Sequence, residues 1–190
     1  MEASIYCPNC HKHTALSIAQ TPTGSPCYWQ SDNISQWWIG ICNGCKKPSL
    51  VLNYGQTVYP YPLPSATHTL IPHHLRNDLI EAKQCFAAEC YRACAVMARR
   101  CVQNTCVDKG AQSNNLVQQI QELTQLGVIT KDIEEWAHVV RWIGNDAAHV
   151  NKDPVLKEDA EDCLQLAEQL LHVVYVTPAI AKAQRNARNK

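Results

Sequence analysis

YPYPLPSATHTLIP, residues 59 to 72, divides the chain into two kinds of sequence. Pro60, Pro62, Pro64 and Pro72 remove backbone donors and hold their neighbours extended, so the run reads as a stiff connector. Before it, residues 1–58 concentrate Cys, Trp, Tyr and turn formers. After it, residues 73–178 place apolar side chains at helical spacing, and residues 179–190 form a short basic tail. A total of 190 residues accommodates one small domain joined to a compact helical one.

Upstream of the connector stand two Cys-x-x-Cys pairs, Cys7-Pro8-Asn9-Cys10 and Cys42-Asn43-Gly44-Cys45. Each pair can turn as a tight knuckle, and four thiolates around one ion make the closed tetrahedral site that structural zinc prefers. The ligand set alone admits iron as well. "CYWQ", "QWWIGI" and "SLVLNY" read as strands around the knuckles. The expectation is a zinc ribbon, with Zn(2+) standing in for the core that so short a segment lacks. His11, His13 and Cys27 lie outside the paired arrangement and are expected in surface or strand roles. Trp29, Trp37 and Trp38 admit two readings. They can stack on unpaired bases, or, since alternation turns one of the adjacent pair inward, they can pack beside the metal.

Downstream, Leu75, Leu79, Ala82 and Phe86 mark a first helix. A second, from about Ala88 to Lys109, carries Cys90, Cys94, Met97, Cys101 and Val102 on one side, where cysteine acts as a small core hydrophobe. Leu116, Ile120, Leu123 and Leu126 mark a third. Thr130 is a good N-cap for a fourth, with Ile133, Trp136, Ala137, Val140 and Ile143 inward. Ala160, Cys163, Ala167, Leu170 and Val174 mark a last helix, from about Leu156 to Tyr175. Five helices with short connections predict an antiparallel bundle. The expected fold class is thus all-α, preceded by a small β zinc ribbon.

The fourth helix delivers RWIGNDAAH, residues 141 to 149. On an unbroken helix Arg141, Asn145 and His149 share a side, with Arg141 and His149 roughly 12 Å apart along the axis. Gly144 can end the helix and bring His149 back toward Arg141, and a second chain across a two-fold axis can do the same. Two readings stand. In one, Gly144 stops the helix, Asn145 caps it, and Arg141 and His149 are satisfied structurally. In the other, the imidazole moves a proton at a ribose 2′-hydroxyl while the guanidinium holds phosphate oxygens, a reaction that needs no metal.

The order from "YPYPLP" through "RWIGNDAAH" to a final helix ending "VVYVTP" resembles a bacterial domain-of-unknown-function family in the HEPN superfamily. The resemblance covers most of residues 60–178, and R-x-x-G-N-x-x-x-H is its most specific piece. It implies a helical bundle, usually dimeric. Many relatives are metal-independent endoribonucleases of toxin-antitoxin or phage-defence systems, with a composite cleft at the dimer interface. Carried over by position, Arg141 is the motif arginine, Asn145 the nearby polar group and His149 the catalytic histidine. The partners so implied are RNA, a second copy of the chain, and an antitoxin or defence-system protein. Two features depart from the nuclease pattern: the longer spacing from Arg141 to His149, and Trp142 where a polar residue usually follows the arginine.

Formal net charge is zero, which argues against a chain that wraps nucleic acid by bulk electrostatics. No acidic residue follows Glu168, however, while Lys182, Arg185, Arg188 and Lys190 do. No apolar run reaches the roughly 18 residues of a membrane span, and MEASIYCPNC lacks the order of a secretory signal. The expectation is a cytoplasmic protein with no membrane role. Eleven cysteines, an odd number, then fit reduced thiols better than a disulfide framework.

Overall fold

The computed structural model describes residues 2–30, 34–138 and 154–188. The chain separates into two compact units, Met1–Ala66 and Thr67–Lys190.

The first unit is a curled antiparallel sheet, a half-barrel of six strands: β1 (Glu2–Tyr6), β2 (His13–Ile18), β3 (Tyr28–Gln30), β4 (Gln36–Cys42), β5 (Pro48–Leu52) and β6 (Thr57–Tyr59). The order is β1-β2-β4-β5-β6, and β2 and β3 share one edge of β4. Leu16–Ile18 pair with Cys42–Gly40, and Tyr28–Gln30 pair with Trp38–Gln36. Side chains alternate across a strand, so Trp38, Gly40 and Cys42 of β4 share one face. They meet Leu16, Val51, Val58, Ala3 and Ile5 in a continuous core. Each large side chain buried there contributes about 1.5–3 kcal/mol relative to exposure. Gly40 is required by that packing: a Cβ at this position would lie 2.9 Å from Leu16 Cδ1 and 3.0 Å from Val51 Cγ2.

The all-α expectation is therefore overturned. The molecule is mixed, a six-stranded sheet followed by helices. The expected ribbon was too small because β1, β2 and β6 were not anticipated. Their alternating Ala3, Ile5, Leu16 and Val58 build the core that the ion was expected to replace.

The second unit contains α1 (His73–Ala87), α2 (Tyr91–Asp108), α3 (Leu116–Gln125), α4 (131–138, as far as it is described), α5 (Lys157–Leu171), a π-helical segment (His172–Val176) and α6 (Thr177–Arg188). Helix α2 is the centre, packed against α1, α3 and α5. Leu75, Leu79 and Ala82 of α1, Leu116, Ile120 and Leu123 of α3, and Ala160, Cys163, Ala167 and Leu170 of α5 are buried at the spacing read from sequence. Side chains cap the starts of α3 and α4. Asn115 Oδ1 accepts the Val117 amide at 2.8 Å, and Thr130 Oγ1 accepts that of Ile133 at 3.4 Å.

Two features were not expected. Lys83 is fully buried, its Nζ 2.6 Å from Glu168 Oε1 and 3.0 Å from Thr67 Oγ1, so the charge enters the core with its partner. The last helix also does not end near Tyr175. Pro178 lacks the N–H that an unbroken helix would bond to the carbonyl of Val174, and the register widens to π just before it. The chain then continues helically to Arg188. No helix among the described residues is long and apolar enough to cross a membrane.

Candidate metal centre

The two knuckles are built alike. In the first, the Cys7 amide donates to Lys12 O at 2.9 Å and the His11 amide to Cys7 O at 2.9 Å, while His11 takes φ 55°. In the second, the Cys42 amide donates to Lys47 O at 3.1 Å and the Lys46 amide to Cys42 O at 2.9 Å, while Lys46 takes φ 62°. Each turn ends on a residue in the left-handed region, and each points amides at its first sulfur. Asn9 N lies 3.4 Å from Cys7 Sγ, and Cys45 N lies 3.3 Å from Cys42 Sγ. Because β1 leads into one knuckle and β4 into the other, the sheet brings the two together.

The four sulfurs of Cys7, Cys10, Cys42 and Cys45 lie within 4.8 Å of one another. The Cys7–Cys45 and Cys10–Cys42 separations are both 3.9 Å. A tetrahedron with metal–sulfur bonds of about 2.3 Å has edges of about 3.8 Å, so the donor set fits one four-coordinate ion. Four thiolates fill such an ion's coordination and leave no position for a substrate. The polar surroundings bind the pocket together: Asn9 Nδ2 donates to Ser49 Oγ at 3.4 Å, and Thr14 Oγ1 lies 3.7 Å from Cys42 Sγ. Exposed Lys12, Lys46 and Lys47 sit in the knuckles, where they would offset the excess negative charge of four thiolates on a divalent ion.

The thiols are not equivalent. Burial pushes Cys7 up to about 12, with the Cys10 and Asn9 amides opposing it only in part. Burial also raises Cys42, but the Cys45 amide, the Thr14 hydroxyl, the Cys45 thiol and the Gly44 amide outweigh it and bring the group down to about 6. Cys42 thus offers a thiolate to a cation more readily than Cys7 does.

The four cysteines that the two Cys-x-x-Cys pairs single out do come together in one cluster, as a metal site requires. Sequence reading missed the supporting Asn9, Thr14 and Ser49, for which the sequence carries no signal. Among the described residues His11, His13 and Cys27 are not in the cluster. His11 ends the first knuckle, and His13 packs edge-on against Tyr6 at 5.4 Å between ring centroids. Cys27 is hydrogen-bonded through its backbone to Ala19 and Ile39. Arg141, Asn145 and His149 lie outside the described residues.

Of the tryptophans, Trp38 is the one turned inward, 1% exposed, in the same core as Cys7 and Cys42, with its Nε1 donating to Asn53 O. Trp37 faces the other way, opposite Trp29 in the strand pairing, and Trp29 is 61% exposed. Trp37 lies 6.0 Å from Tyr59, and Tyr59 lies 4.5 Å from Tyr61, between ring centroids. Ile39 and Leu50 fill the space beside these rings, and no strand from β3 to β6 carries a charged residue.

The chain is therefore a two-part protein: a sheet closed by a four-cysteine cluster, followed by a helical unit built around α2. Residues 80–188 match DUF4145, a domain of unknown function, and the chain belongs to that family. No curated protein and no solved structure matches the chain.

Proposed function

We propose that this is an RNA-targeting protein of HEPN type, a metal-independent endoribonuclease that acts as a homodimer in the cytoplasm, with Zn(2+) in a purely structural role at Cys7, Cys10, Cys42 and Cys45. The observation that carries the reading is that the R-x-x-G-N-x-x-x-H run at 141–149 falls inside the residues matched to the family. In this reading His149 exchanges a proton with the ribose 2′-hydroxyl or the leaving oxygen, Arg141 binds the phosphate, and Asn145 positions it. The closed four-thiolate cluster fits the same picture, since an ion held there has no open position for substrate and the chemistry falls to side chains.

The test is incubation of RNA with the purified protein in the presence of a chelator of free divalent ions. Fragments with 2′,3′-cyclic phosphate ends are expected, and their loss in His149→Ala. Equal cutting by the variant would falsify the assignment.

A second reading has its own observation. The uncharged aromatic face of β3 to β6 has the composition of an interface core, enriched in aromatics and depleted in charge. Under it the protein is a non-catalytic interaction module. Growth arrest on expression, relieved by His149→Ala, favours the enzyme. Absence of arrest together with strong destabilisation by the same change favours the module.

A further inference from the structure

Helix α6 stands apart from the rest of its unit. None of its residues is buried, and among the described elements with given contacts it packs on the π-helical segment. A 12-residue helix that buries none of its residues is marginal alone, so it depends on α5 and the π turn to start it. What it displays is sharply divided. Lys182, Arg185 and Arg188 follow one another at intervals of three, on one side. Ala179, Ile180, Ala183 and Ala187 occupy the opposite side. No ion pair involves the three cations among the described residues, and after Glu168 the sequence supplies no acid to make one locally.

Three unpaired cations on one side of an exposed helix fit a polyanion. A bilayer surface is a poor match, because interfacial helices insert Trp, Phe or Leu and this apolar side offers three alanines and Ile180. The forks of Arg185 and Arg188 match phosphate oxygens bidentately. We propose that α6 is the arm by which this protein grips the RNA backbone, through Lys182, Arg185 and Arg188, without reading sequence. The inference rests on the RNA-targeting reading above and adds the surface that does the holding. It does not depend on cleavage, because it assigns no role to Arg141, Asn145 or His149.

The experiment is fluorescence anisotropy of a labelled single-stranded RNA with the full-length, metal-loaded protein across a salt series, beside Lys182→Gln/Arg185→Gln/Arg188→Gln. All three side chains are exposed, and an unchanged circular dichroism spectrum confirms the variant's fold. Three phosphate contacts give a slope of about −2 in log affinity against log salt for wild type, and the triple variant should flatten it toward zero and bind about tenfold more weakly at low salt. A variant with wild-type affinity and slope overturns the arm and leaves the RNA reading intact. Absence of RNA binding by wild type overturns both. Polyglutamate bound as well as RNA, and lost in the same variant, overturns the RNA arm in favour of an acidic protein partner.

Discussion

Cysteine serves opposite ends in the two units. In the sheet, Cys7, Cys10, Cys42 and Cys45 face one another, each presenting sulfur to a shared centre. In the helices, Cys94, Cys101, Cys106 and Cys163 are buried in the apolar core. Cys94 Sγ donates to Ala160 O at 3.8 Å, and Cys101 Sγ to Leu75 O at 3.6 Å. Burial raises all four to about 12, so they stay protonated at neutral pH. The difference lies in the neighbours. Backbone amides aimed at sulfur make a ligand, and carbonyls aimed at the S–H make a hydrophobe.

Removing one ligand should break this contrast most sharply. Cys42→Ser takes away the thiol that its neighbours lower to about 6, and elemental analysis should find bound metal falling from about one ion per chain to almost none. The same change should expose Trp38, read as a red shift in emission, while the helical circular dichroism signal persists. Retention of a full equivalent of metal would show that the cluster is not the binding site.

A smaller effect is expected in the helical unit. Cys101→Ala should cost about 1–3 kcal/mol by chemical denaturation, as a modest cavity does, with metal content unchanged. Thiol labelling of the folded protein near neutral pH should modify exposed Cys90 and spare Cys94, Cys101, Cys106 and Cys163. Rapid labelling of those four would contradict their burial.

The smallest effect concerns pH. Asp108 is held below the usual carboxylate range, first by the Tyr175 hydroxyl and then by the Lys109 ammonium, which lies 3.5 Å from it. A depressed carboxylate contributes stability above its unfolded value, about 3.9, and loses it as pH falls through the lower folded value. Tyr175→Phe removes the main cause. Its helical signal should therefore decline less steeply than wild type between about pH 5 and about pH 2. Superimposable acid profiles would leave Asp108 without this role.

The four-cysteine cluster was legible because ligand chemistry is written in spacing: two residues between cysteines are enough to close a knuckle. The helices were legible where one residue type recurs on one side, as along α5. The sheet was only half legible. β4 and β5 announce themselves with apolar residues, whereas β1 and β2 contribute alternating Ala3, Ile5 and Leu16 among serines and threonines, too sparse to separate from a loop. Lys83 was hidden because its partner, Glu168, lies on a helix far along the chain, and no local pattern announces the pairing. The helix beyond Tyr175 was hidden by Pro178, which reads as a stop unless the preceding turn widens.

Cys10 and Cys42 stand 32 positions apart, yet they belong to one cluster. During synthesis the first knuckle therefore leaves the ribosome with half a coordination shell. β1 and β2 can form a hairpin, but the ion cannot be fully enclosed until Cys45 has emerged. An ion held by all four sulfurs would thus report that translation has passed the second knuckle, and a nascent chain stalled earlier would hold its thiols open to oxidation.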